Sequence, residues 1–261
     1  MSKLVDYSVQ DGIAILELNN PPANAYGVEM MKDFDEAILN ARFDEDVHVI
    51  ILRGKGDKFF CAGADIKMLN SKTPYYFYNF SLHANETVRR LEMTPKLVIA
   101  ALNGHTMGGG LEIALACDIR LAKRDAGRIG LPEVSLGLEP GVGGTQRLPR
   151  VIGYPKAVEL MVTGRAMTFD EALEVGLVHY VYDPGDYWGE VMGYAKQFCP
   201  PNKASMAVGR IKLAARAAIE TSITEGIIIE HETLQQVYTS EDAKEGTSAY
   251  LGRRQAVYKG R

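Results

Sequence analysis

Two short runs limit the fold of this chain more than any other feature. Val47 to Leu52, apolar except at His48, and Leu97 to Leu102 show no alternation of apolar and polar residues. A strand with one wet face alternates, whereas a continuous apolar strand is buried on both faces, as in a parallel sheet covered by helices. Helical periods stand between such strands. Glu29 to Phe43 spaces Met30, Met31, Phe34, Ala37, Ile38 and Ala41 as one helix face. Pro74 to Arg90 reads as a helix with an aromatic start at Tyr75, Tyr76, Phe77 and Tyr78, and Lys156 to Val162 and Phe169 to Glu174 read as two more. Asp11-Gly12 between Tyr7–Gln10 and Ile13–Leu18 is a hairpin signal. Strands alternating with helices indicate an α/β protein.

Beyond Pro200-Pro201 the pattern is almost wholly helical, over Ala204 to Ala218, Thr224 to Tyr238 and a last segment from Ser240. The double proline divides an expected catalytic core, residues 1–200, from a helical appendage, residues 201–261. No internal sequence repeat is visible.

At 261 residues the chain has the length of one large domain, or of one with a small appendage. A net charge of -4 gives no general attraction for phosphate backbones or anionic lipid, so nucleic acid and membrane are poor candidate partners. Cys61, Cys117 and Cys199 are far apart and form no Cys-x-x-Cys pair, which argues against a structural zinc or a disulfide framework. No metal site is expected. The N-terminus meets an acid at Asp6, and the longest apolar run, Leu97 to Leu102, is far below the ~20 residues that span a bilayer. The expected location is cytoplasmic.

Glycine clusters raise the question of phosphate binding. From Gly104 the sixth residue is Gly109, but Gly110 follows where a Walker A loop needs lysine, and from Gly141 the sixth position is Gln146. The dinucleotide pattern also fails at Gln146. What remains is a strand, then Gly108-Gly109-Gly110 at a helix start. Backbone N–H groups there lack intrahelical partners and sit at the positive end of the helix, so one of them can receive a developing oxyanion. Tight packing of helix on strand would also explain the glycines.

Glu112 lies in the apolar helix Leu111 to Ala116, and Glu133 stands among Leu131, Pro132 and Val134. Buried paired carboxylates with displaced pKa values suit acid–base chemistry. A solvated helix face, or a structural ion pair with Arg120, Arg128 or Arg147, would also account for them.

Taken in order, these segments resemble the crotonase superfamily, the enoyl-CoA hydratases and isomerases. The resemblance is carried by Asn20 to Ala25, Phe60-Cys61-Ala62-Gly63-Ala64-Asp65-Ile66-Lys67, Asn103-Gly104 with Gly108 to Glu112, Ala116 to Arg120, Leu131-Pro132-Glu133 and Pro140 to Leu148. It covers essentially the whole chain. It implies an α/β fold, a crotonase-like spiral of ββα repeats closed by a helical C-terminal trimerisation region, with a homotrimer or a homohexamer as the assembly. The implied substrate is an acyl-CoA thioester; no separate cofactor is implied, since coenzyme A enters as part of the substrate. The thioester oxygen would sit between the N–H groups of Ala64 and Gly109. Glu112 and Glu133 would be the catalytic acids, and Ala62, Asp65, Ile66, Lys67, Gly108, Pro132 and Gly141 would contact substrate or coenzyme A, Lys67 near the 3′-phosphate. Retention of both acids favours hydration over the family's isomerase and other acyl-CoA reactions. A non-catalytic RNA-binding member is the alternative from another class.

Several positions depart from the family pattern. Glu139 stands before Pro140 and could add charge near the acyl pocket or face solvent. Tyr75, Tyr76, Phe77, Tyr78 and Phe80 make the segment after Lys67 unusually aromatic, fit either for lining a pocket or for ordinary packing. The C-terminal Arg253-Arg254 stands where a lysine–arginine pair is usual. His105, beside the glycine loop, is read as structural.

Overall fold

The computed structural model describes residues 3–261. Met1 and Ser2, which open the acid-interrupted N-terminal segment, lie outside the described residues. The chain begins with β1 (Val5–Gln10) and β2 (Ile13–Leu18), then α1 (Val28–Phe43), β3 (Val49–Gly54), β4 (Phe59–Cys61), α2 (Ile66–Ser71) and α3 (Pro74–Glu92). It continues with β5 (Leu97–Leu102), β6 (His105–Met107), α4 (Gly109–Ala116), β7 (Ile119–Lys123) and β8 (Ile129–Gly130). A 3-10 turn (Glu133–Leu136) leads to α5 (Gly144–Ile152), α6 (Tyr154–Thr163), α7 (Phe169–Glu174), β9 (Tyr180–Tyr182) and α8 (Tyr187–Lys196). The last helices are α9 (Ser205–Glu220), α10 (Ile223–Tyr238) and α11 (Glu241–Leu251).

The large sheet has the order β1-β2-β3-β5-β7-β9, and β4, β6 and β8 form a second, three-stranded parallel sheet. Among the named strands only β1 and β2 pair antiparallel with each other, through the Asp11-Gly12 turn; both turn residues have positive φ, as a tight hairpin requires. From β3 the winding repeats: a strand in the large sheet, a strand in the small one, then helix. The turns β3–β4–α2, β5–β6–α4 and β7–β8–α5 stack in register, so Ile51, Ile99 and Ile119 lie side by side.

The two apolar runs are buried on both faces because both faces are covered. Leu52, Val98, Ala100 and Leu102 pack with Phe34 and Ile38 of α1 and with Val88 and Leu91 of α3. Val49, Ile51, Leu97, Ile99 and Leu121 lie under Tyr187, Val191 and Ala195 of α8. Here the sequence pattern was incomplete, since α8 precedes the double proline and carries Gly189 and Gly193, which weaken its helical signal. Helix α9 docks on the core: Lys212 Nζ pairs with Asp118 at 2.9 Å and donates to the Lys96 carbonyl, and Gly209 packs against the Pro95 carbonyl. Helix α10 buries no residue. All three cysteines are buried, and burial pushes the Cys61 and Cys117 thiols up to about 12. Among the described residues no helix is long and apolar enough to cross a membrane.

Candidate active site

The three glycines that start α4 are there for three different reasons. Gly108 has φ +56°, a conformation that costs L-residues about 1 kcal/mol or more, and a Cβ there would sit 2.9 Å from Glu133 Oε1. A Cβ on Gly109 would overlap the Tyr26 hydroxyl, and one on Gly110 would overlap the Cys61 carbonyl. Only Gly110 is explained by packing of helix on strand alone. The N–H of Gly109, first in its helix, has no protein acceptor among the described residues, and neither does that of Ala64. The segments carrying these two N–H groups touch, because a Cβ on Gly63 would come within 2.9 Å of the Gly109 nitrogen.

Tyr26 ties the two segments together. Its N–H donates to the Gly63 carbonyl and its own carbonyl accepts from Asp65 N–H, each at 2.9 Å, so its backbone brackets Ala64. Its side chain, 2% exposed, lays the hydroxyl over Gly109. That hydroxyl borders the cavity and has no protein hydrogen-bond partner among the described residues. Burial first, then Glu112, Cys61 and Glu133, hold the phenol well above its ordinary pKa, so it stays a neutral donor.

Glu112 is fully buried on α4, where side chains lean back toward the helix start. Its Oε1 accepts from Val142 N–H and Gly144 N–H, both at 2.7 Å. Burial raises its carboxyl to about 7 against these two hydrogen bonds, and Glu133 adds to the rise. Glu133, on the 3-10 turn, keeps Oε2 shut from solvent with no hydrogen-bond partner, and burial raises its pKa too. Neither acid has a cation within ion-pair distance among the described residues. The three arginines that could have neutralised them are placed otherwise. Arg120 caps α4 through the Ala114 and Cys117 carbonyls, Arg147 pairs with Glu92, and Arg128 contributes only backbone bonds, its N–H donating to His105 Nδ1 and its carbonyl accepting from Thr106 N–H. The bond to His105 Nδ1, and the tilted packing of the His105 ring against Phe59, support the structural reading of the histidine.

The loop that holds Glu112 is itself held. Ser81 and Asn85 of α3 donate to the Gly141 carbonyl at 2.9 and 2.8 Å. Arg147 donates to the Val142 carbonyl at 3.0 Å and grips the buried Glu92 with two nitrogens. Arg89 and Arg216 complete the cluster around Glu92.

These elements enclose a cavity of about 100 Å³ that opens to solvent. Its wall carries Glu112, Glu133, Ala64, Gly109, Ala62, Ile66, Gly108, Pro132 and Gly141, nine of the eleven residues expected from sequence. The other two lie outside it. Asp65 caps α2 by accepting from Lys67 N–H, and the Lys67 side chain is on the exposed surface of that helix. Of the aromatic segment, Phe77 and Phe80 line the cavity, whereas Tyr75 and Tyr78 are largely exposed. Glu139 also lines it. A pair of carboxyls with raised pKa values, next to two free N–H donors, can exchange protons with a ligand and hold a developing negative charge.

The enoyl-CoA hydratase/isomerase family model matches residues 8–261. The chain belongs to that family. Among solved structures, an enoyl-CoA hydratase of Geobacillus kaustophilus superposes with a TM-score of 0.96 at 44% identity, over 100% of this chain and 98% of that one. A short-chain-enoyl-CoA hydratase of Clostridium acetobutylicum is 38% identical over 93% of this chain and 92% of its own length. A crotonyl-CoA hydratase of Syntrophomonas wolfei is 36% identical over 95% of each. The spiral of ββα turns is thus the crotonase fold, as the motifs implied. Three residues of this family member's site were not visible in its sequence as site residues: Tyr26, Glu92 and Arg147. Tyr26 follows Asn24-Ala25, part of a motif that was read, and a lone polar aromatic there was the available signal.

Proposed function

We propose that the protein is a hydratase that adds water syn across the 2,3 double bond of an enoyl-CoA thioester, giving a 3-hydroxyacyl-CoA. The observation that carries this reading is the pair of carboxyls without ion-pair partners, buried Glu112 and half-buried Glu133, facing the same cavity as the free N–H groups of Ala64 and Gly109. In this reading the thioester oxygen accepts from both N–H groups. Glu112 orients a water and takes its proton as the water oxygen bonds to Cβ. The π electrons move onto the thioester oxygen as an enolate, which two preorganised donors stabilise more than they do the neutral carbonyl. Glu133 supplies the proton to Cα as the enolate collapses, and proton exchange through the bound water restores both acids. Because the carboxyls share a water, their titrations are coupled.

The reading extends to assembly. Ile223, Ile227, Ile228, Leu234 and Tyr238 leave an apolar face exposed on α10, which supports a homotrimer or a pair of trimers built by the region after residue 200.

The test is turnover of crotonyl-CoA by the wild type, Glu112→Gln and Glu133→Gln, with products read by mass. General acid–base groups contribute about 10²–10⁴-fold, so each variant should lose that much. Unchanged turnover in both variants refutes the roles given to the acids. A product isomerised but not heavier by one water makes the protein a family isomerase.

A further inference from the structure

The cavity wall has an electrostatic character that the two catalytic carboxyls alone do not account for. A third acid, Glu139, joins Glu112 and Glu133 in it, and no lysine, arginine or histidine lines it. Glu139 is exposed where it lines the cavity and makes no hydrogen bond or ion pair among the described residues, so its charge is not matched by a protein partner. Much of the rest of that wall is apolar. Phe77, Leu136 and Leu138 line the cavity and are 40%, 57% and 44% exposed, which leaves greasy surface for an occupant to cover.

Resting on the hydratase reading, we propose that the acyl group of the substrate is uncharged and apolar, and that Glu139 excludes acyl groups ending in a carboxylate. A terminal carboxylate entering this site would meet the charge of Glu139 beside the two proton-exchanging acids, with no lysine, arginine or histidine on the wall to compensate it. Like charges placed together are disfavoured, less so at the exposed Glu139 than in a dry site, and the repulsion acts on binding before any chemistry. An alkyl tail meets none of this and removes the exposed Phe77, Leu136 and Leu138 from water. The aromatic segment of α3 then forms the wall of an alkyl pocket through Phe77 and Phe80.

The experiment compares two saturated ligands that differ in one terminal group, butyryl-CoA and glutaryl-CoA, by calorimetric titration, and the matching unsaturated pair, crotonyl-CoA and glutaconyl-CoA, by turnover. Butyryl-CoA should bind at least about 100-fold more tightly than glutaryl-CoA. Glu139→Gln should shrink that ratio about tenfold, with Glu139→Ala as the second variant should the first not fold. Equal binding of the two ligands, or a ratio that Glu139→Gln leaves unchanged, overturns the proposal. Selective binding of butyryl-CoA without hydration of crotonyl-CoA upholds the selectivity and removes the hydratase reading instead. Binding of neither ligand removes both.

Discussion

Glu92 and Glu112 are equally buried, each 1% exposed, and they titrate in opposite directions. Burial pushes both carboxyls up. At Glu92 the guanidinium groups of Arg147, Arg89 and Arg216 outweigh it and hold the acid down at about 2. At Glu112 two backbone N–H groups and, more weakly, the charge of Arg147, which makes no ion pair with it, oppose burial, and the acid rises to about 7. Burial therefore does not decide what a carboxylate is for; its partners do. Glu92 stays ionised down to about pH 2 and holds α3, α5 and α9 together. Glu112 is left without a cation, which is costly for folding and keeps its proton exchangeable near neutral pH. Arg147 touches both regions, since it grips Glu92 and donates to the carbonyl of Val142, whose N–H donates to Glu112.

The sharpest way to break this comparison is to neutralise each acid. Glu92→Gln leaves three arginines without their shared anion, and loss of one partner in a buried ion cluster costs about 3–5 kcal/mol. Glu112→Gln should leave stability at pH 8 unchanged or higher, while hydration falls. Urea unfolding of both variants at pH 8 checks the pair. If Glu112→Gln is the more destabilised of the two, the division between structural and functional acid is wrong.

Next in size is the pH dependence, and its sign differs between the two acids. Glu112 rises from 4.5 when unfolded to about 7 when folded, so between these values the folded state binds more protons. Its contribution to stability is full below pH 4.5 and is lost as pH rises to 7, by about 3 kcal/mol at 1.36 kcal/mol per pH unit. Glu92 falls from 4.5 to about 2, so its contribution is full above 4.5 and is lost as pH falls toward 2. Subtracting the stability curve of each Gln variant from that of the wild type isolates each acid. The Glu112 difference should slope down with rising pH and the Glu92 difference up. Two slopes of the same sign would show that the cations around Glu92 do not control it.

The comparison also shows what could be read from the sequence. The long apolar strands, the Asp-Gly hairpin and α1 were legible because a period or a turn signal declared them. The short strands of the second sheet, β4, β6 and β8, have only two or three residues each, too few to show any period. The spiral therefore repeats in the backbone without repeating in sequence. Helix α5 was hidden by the glycines at its start and by Pro149 inside it. Glu112 and Glu133 were legible because an acid among apolar neighbours is conspicuous. Glu92 was not, for it sits beside Arg89 and Arg90 at the end of an amphipathic helix and looks solvated until Arg147 and Arg216 come in from other elements. Asp65 and Lys67 went the other way, as motif residues that the fold turns toward a helix cap and the surface.

A smaller effect is expected at the link between the two acids. Arg147→Lys keeps the charge but cannot make both the paired contact to Glu92 and the bond to the Val142 carbonyl. The loop that orients Glu112 then loosens. We expect kcat to fall about tenfold with KM nearly constant, as for a misplaced catalytic group. A fall in stability with kcat untouched would confine Arg147 to the structural side.

The smallest change removes a single oxygen. Tyr26→Phe keeps the ring against Gly109 and the backbone bracket around Ala64, and loses only the hydroxyl that borders the cavity. That hydroxyl has no protein partner, so the folded chain without ligand loses no hydrogen bond, and stability should change by less than about 1 kcal/mol. With substrate bound, a neutral donor over Gly109 is within reach of the oxygens that react, and a neutral hydrogen bond worth about 1 kcal/mol corresponds to roughly a fivefold loss in kcat/KM. A loss near hundredfold would place the phenol among the proton-transferring groups. No loss at all would make Tyr26 purely a spacer, setting the distance between the segments that carry the Ala64 and Gly109 N–H groups by its ring and backbone alone.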